Sequence, residues 1–162
     1  MHDARVAPEA KDLARWREAF VGTHAQLWRS LLAYSGDPDV ASDAAAEAFA
    51  QAGRRLEAIH DVEAWVWRAA FRIAGGLLAE RARSDDPMPE RAAMPVPERA
   101  WELLDALGRL SDQQRRCVVL RHVAGYSAPE IAELLESSAA SVRVQLMRAR
   151  RKLRTLLEED DT

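Results

Sequence analysis

The chain has 162 residues, of which 48% are hydrophobic, and its 23 basic and 26 acidic side chains give a formal net charge of −3. That length suits one ordinary domain or two small ones. No run approaches the roughly 18 apolar residues of a membrane span, so membrane insertion is not expected. The N-terminal "MHDARVAPEAKDLARW" lacks the apolar centre of a signal peptide, and the expectation is a cytoplasmic protein. Cys117 is the sole cysteine, which excludes an internal disulfide and a Cys-rich zinc site.

Taken in chain order, residues 12–83 read as a first helical block. Trp16, Phe20, Leu27, Leu31 and Leu32 recur at helical spacing until "SGDPD" interrupts them with Gly36 and Pro38. A helix from about Val40 to Leu56 follows. After the break at "EAIHD", Asp61 is placed to cap a helix "VEAWVWRAAFRIAGGLLAERAR", in which Gly75 and Gly76 each cost up to ~1 kcal/mol relative to alanine. Residues 84–97, "SDDPMPERAAMPVP", contain four prolines. Proline lacks a backbone donor and restricts its predecessor, so this segment predicts an extended, semi-rigid linker.

Residues 98–158 form a second block. "ERAWELLDALGRL" is amphipathic through Trp101, Leu104, Leu107 and Leu110. Ser111 with Gln114 and Ser127 with Glu130 are capping-box pairs; Gly125 suits a helix stop, and Pro129 falls in a tolerant first turn. Ser138 is placed to cap a last helix from Ala139 to about Leu157. No strand-like alternation occurs, so the expected class is all-α: two small helical domains, a Pro-rich linker and a C-terminal helix-turn-helix.

The last two helices carry that motif: two helices, a short polar turn, and a basic second helix. Ile131, Leu134 and Leu135 line one face of the first; Val142, Leu146, Ala149, Leu153 and Leu156 line one face of the second. From Ser137 to Leu157 the chain carries six basic residues (Arg143, Arg148, Arg150, Arg151, Lys152 and Arg154) and no acidic one, against −9 for the remainder. Such segregation suits a phosphate backbone even in an acidic protein. The plainer reading of the same run is a solvated helix face neutralised by the acidic tail.

The stretch "LSDQQRRCVVLRHVAGYSAPEIAELLESSAASVRVQLMRARRKLR" resembles region 4 of bacterial sigma factors, most closely the extracytoplasmic-function (ECF) group. Leu110, Arg115, Val118, Leu120 and Arg121 fit the first part of that pattern. Gly125, Ser127, Glu130, Ile131, Ala132 and Leu135 fit the second, and Val142, Leu146, Arg148, Ala149 and Arg150 the third. The first block resembles region 2 through Gly36, Asp37, Asp43, Glu47 and Phe49, and again through Ala64, Trp65, Arg68 and Ala70. Departures are Ala46 for a glutamine, Arg72 for an asparagine, and Gly76, Leu77 and Ala79 at basic positions. In region 4, Glu136 stands for the turn glycine, Ser137 for an apolar residue, and Val144, Gln145 and Met147 for polar or basic ones.

The resemblance implies a sigma factor that binds core RNA polymerase and directs promoter-specific transcription initiation. Region 2 would engage polymerase and open the −10 element of promoter DNA, while region 4 would read the −35 element; an anti-sigma factor is a candidate regulator. On that reading Ser138, Ser141, Arg143, Gln145, Arg148, Arg150 and Arg151 are candidate DNA contacts. Arginine pairs bidentately with guanine and glutamine with adenine, and the later arginines suit phosphates. His60, Asp61, Trp65, Trp67, Phe71 and Arg72 are candidates for promoter melting, the aromatic rings by stacking on unpaired bases or else by core packing. Asp43 and Glu47, four apart on one helix face, are candidates for the polymerase-facing edge. His2, His24, His60 and His122 are scattered, so neither a metal site nor a cofactor is expected, and no nucleophile or phosphate-cradling motif points to an enzyme. Two other readings of the residues stay open: a helix-turn-helix regulator that acts without polymerase, and a degenerate sigma-like interaction protein that does not open promoters.

Overall fold

The computed structural model describes residues 8–85 and 96–160. These form seven α-helices and, among the described residues, no strand: α1 Ala10–Ser35, α2 Pro38–Gly53, α3 Val62–Arg83, α4 Glu98–Gly108, α5 Asp112–His122, α6 Ala128–Leu134 and α7 Ala139–Asp160, with a 3₁₀ turn at Leu56–Ala58. The all-α class is as the sequence predicts. The helix expected to reach Leu56 stops at Gly53, because Arg54 closes the last turn and the chain tightens into the 3₁₀ turn. Most of the expected linker lies outside the described residues.

Local chemistry sets the helix ends. Gly36, at φ 66°, returns its N–H to Leu32 O and ends α1 in the left-handed conformation that glycine adopts at little cost. Asp37 then accepts from the amides of Asp39 and Val40 to start α2, and its carboxylate also pairs with Arg81 at the far end of α3. Asp61 caps α3 through the amide of Ala64 at 3.1 Å. Both predicted capping boxes form, at Ser111–Gln114 and Ser127–Glu130.

The first three helices pack around the alanine-rich face of α2. Ala41, Ala44, Ala45, Ala48 and Ala52 are all fully buried, and their small side chains admit α1 and α3 closely on either side. Trp16 stacks on Phe20 and donates its indole N–H to Phe49 O, which joins α1 to α2. α3 runs unbroken through Gly75 and Gly76. A Cβ on Gly75 would lie 2.7 Å from Arg116 Nη2 and 3.4 Å from Tyr34 Oη, so the missing side chain leaves room for the Arg116 guanidinium.

That contact belongs to a seam between the two blocks. Tyr34 donates to Asp112 while Arg116 donates to Tyr34 Oη and Asp112; Arg115 donates to Tyr34 O, and Gln26 to Ala124 O. Tyr126 stands edge-on to Trp67 at 5.3 Å and donates to Glu63. Burial and the neighbouring carboxylates push both phenols, Tyr34 and Tyr126, above their usual range. The indole N–H of Trp67 and Nε of Arg115 are buried without an acceptor, a cost of ~1–3 kcal/mol for each such group.

Candidate nucleic-acid interface

The interface is built on α6, the turn after it, and α7. Ser137 N–H bonds to Ala132 O and Glu136 N–H to Glu133 O, the paired bonds of a Schellman stop. This stop needs a left-handed residue, and Glu136 supplies it at φ 52° where the family pattern has glycine. The hydroxyl of Ser138 then accepts from Ser141 N–H at 3.1 Å, which opens α7 as the sequence predicts. Ile131, Val142, Leu146 and Ala149 close the small core between the two helices over Cys117, Val119 and Leu120 of α5. Cys117 is buried, and burial pushes its thiol up, so it serves as a core residue.

With that face turned inward, Arg143, Arg148, Arg150, Arg151, Lys152 and Arg154 are exposed. Among the described residues, no ion pair joins Arg143, Arg148, Arg150 or Arg151 to a carboxylate. His122 on α5 lies beside this positive field, and partial burial together with the charges of Arg150 and Arg121 holds its pKa down. The surface is thus a row of exposed positive charge on a capped helix, chemically suited to nucleic-acid phosphates.

The other candidate residues are dispersed. Gln145 is half-buried on the flank of α7, and the Ser138 hydroxyl accepts the cap bond from the backbone N–H of Ser141. Asp43 and Glu47 are exposed together on α2; Glu47 takes hydrogen bonds from Gln51 and Arg54, and Asp43 borders a groove of about 310 Å³ with Leu77, Glu80 and Arg81. His60 and Asp61 line a wide groove between α1 and the start of α3. Arg72 is exposed about three helical turns away, at ~1.5 Å per residue. Of the two readings left open for the rings of α3, this arrangement has the core packing for Trp67 and Phe71. Trp67 and Phe71 are 1% and 2% exposed, packed against Tyr126 and Tyr34, while Trp65 is half-buried.

Val144 and Met147, apolar where the region 4 pattern is polar or basic, are left exposed on α7. Two features escaped sequence reasoning. The Tyr34–Asp112–Arg116 network joins residues far apart in sequence and has no periodic signature. The reason for Gly75 lies in the same contact.

Comparison with known proteins fits this geometry. Residues 100–153 match the family described as Sigma-70, region 4. The ECF RNA polymerase sigma factor BldN of Streptomyces coelicolor is 28% identical over 170 residues, covering 95% of this chain and 63% of that protein. The RNA polymerase sigma factor CnrH of Cupriavidus metallidurans is 36% identical over 90 residues, 56% of this chain and 44% of CnrH. The chain therefore spans less than two thirds of the length of these relatives. Among solved structures, sigma factor RpoE in complex with the anti-sigma factor NepR from Bartonella quintana superposes with TM-score 0.71 at 18% identity, over 88% of this chain and 96% of that one. CnrH in complex with the cytosolic domain of CnrY gives TM-score 0.72 at 23% identity, over 90% and 88%. At these identities the structural likeness speaks for the fold. The chain thus matches Sigma-70 region 4 over its helix-turn-helix and is similar to an extracytoplasmic-function sigma factor along nearly its whole length.

Proposed function

We propose that this protein binds core RNA polymerase and directs promoter-specific transcription initiation. Residues 12–83 act as region 2 on polymerase and the −10 element, residues 84–97 as the connector, and residues 98–158 as region 4 on the −35 element. The observation that carries the reading is the capped helix-turn-helix whose exposed second helix gathers six basic residues, five of them within the matched segment. Arg143 and Arg148 contact bases, Arg150 and Arg151 contact phosphates, and Asp43 and Glu47 present an acidic edge to polymerase. The protein supplies no catalytic residue, and bond formation stays with polymerase. No described helix is long and apolar enough to cross a membrane, and the protein acts in the cytoplasm beside the nucleoid. Because RpoE was solved with the anti-sigma factor NepR, an anti-sigma factor is the partner class proposed for this chain as well.

A second reading has its own support. Trp67 and Phe71 are packed into the seam, and Ala46 and Arg72 depart from the region 2 pattern, which favours a protein that holds polymerase without opening DNA. Two substitutions test the assignment. Arg148→Ala should weaken promoter-DNA binding about tenfold, within the ~1–3 kcal/mol span of a good side-chain-to-base contact, and leave polymerase affinity unchanged. Asp43→Ala should do the reverse. Unchanged affinity in both assays would remove both roles.

A further inference from the structure

We infer that the outward pole of α7 reads thymine: Val144 and Met147, with Ala140 a turn earlier, meet the C5-methyl groups of thymines in the major groove of duplex DNA. This rests on the proposed function, which makes α7 the recognition helix, and adds to it the class of base that the helix selects. At about 100° per residue, Val142, Leu146, Ala149 and Leu153 define the direction of the core. Val144 and Arg151 then point almost directly away from it, with Ala140 and Met147 within about 50° on one side and Arg148 within about 50° on the other. Arg143, Arg150 and Gln145 stand near the sides. The part of the helix that enters a groove first is therefore apolar for its opening turns and bordered by guanidinium groups.

Val144 and Met147 are 40% and 49% exposed. Isolated exposed apolar residues are commonplace, but these lie one turn apart, on the N-terminal half of a helix that a helix-turn-helix inserts into the major groove. There the thymine methyl is the one apolar feature on the edge of a base pair, and its partner is an apolar side chain. The flanking arginines select the occupant. An apolar strip inside a wholly basic stretch complements a groove with an apolar floor and phosphate walls better than it complements an apolar protein surface. Arg148 and Arg143 remain placed for guanine or phosphate beside the thymines.

The test uses the full chain with core RNA polymerase to select duplexes from a random pool, then replaces each selected thymine by deoxyuridine, which lacks only the methyl. Removing one buried methyl should weaken binding about fourfold at one or two positions. Val144→Ser and Met147→Gln should each abolish that penalty at one position, with helicity by circular dichroism unchanged because both side chains are exposed. Binding at full strength that ignores uracil, or a penalty that survives both substitutions, overturns the inference and leaves the sigma-factor reading standing. Failure of the wild-type protein to select any sequence overturns both.

Discussion

The seam between the two blocks makes a quantitative prediction through Tyr34→Phe. The substitution removes only the hydroxyl that donates to Asp112 and accepts from Arg116 Nη2 at 3.3 Å. The phenylalanine ring keeps its contact with Phe71 at 5.3 Å and remains beneath the Arg115 and Arg116 guanidinium groups, each 5.3 Å from its centre. A hydrogen bond to a charged group is worth about 1.5–3 kcal/mol when its partner is left dry. Asp112 is not left dry: its side chain is 60% exposed, and Arg116 Nε still holds it at 2.8 Å. The net loss is therefore nearer ~1 kcal/mol, or about a fivefold rise in the ratio of parted to packed blocks. Dyes attached through Ala50→Cys on α2 and Lys152→Cys on α7 would report that ratio by single-molecule energy transfer, with the buried Cys117 left in place. On the proposed function, parting is the step that would let Trp67 and Phe71 meet unpaired bases, because Tyr126 packs on Trp67 and both rings are buried in this arrangement. An unchanged distance distribution in a variant with unchanged helicity would refute the view that this hydroxyl holds the seam.

The turn and caps of the helix-turn-helix yield two further predictions. Glu136→Gly should relieve ~1–2 kcal/mol of left-handed strain and give back ~0.5–1 kcal/mol in unfolded-chain entropy. The result is a small net gain, seen as a rise of a few degrees in melting temperature; a fall would show that the Glu136 side chain contributes more than its backbone costs. The capping box holds the Glu130 carboxyl below its usual 4.5, through the Ser127 amide first and its hydroxyl second. The carboxylate therefore stabilises α6 fully above about pH 4.5 and loses that contribution as pH falls through its lowered folded value. Hydrogen exchange of the α6 amides should speed up over that acid range, and Glu130→Gln, which keeps an acceptor but cannot titrate, should remove the dependence.

Features carried by adjacent residues were legible in the sequence, while those arising from the meeting of distant helices were not. Asp61, Ser111, Ser127 and Ser138 each cap the helix expected of them, because a cap is decided within four residues. The core face of α7 was readable from its 3.6-residue period, and with it the exposure of the basic residues. Gly75 read as a weak point in α3, whereas its purpose lies 41 positions away at Arg116. Trp67 and Phe71 could face either bases or core by spacing alone, and Tyr126 and Tyr34 decide for the core in this arrangement. Gln145 is half-buried where Arg143 and Arg148 are exposed, a difference that their spacing alone does not show.

The central claim is tested most directly by transcription from a promoter library with purified core RNA polymerase and this protein as the sole initiation factor. The account predicts transcripts that start at defined positions behind a shared two-part element, its upstream half bearing thymines that Val144→Ser and Met147→Gln change. Tight polymerase binding without any specific start would contradict it.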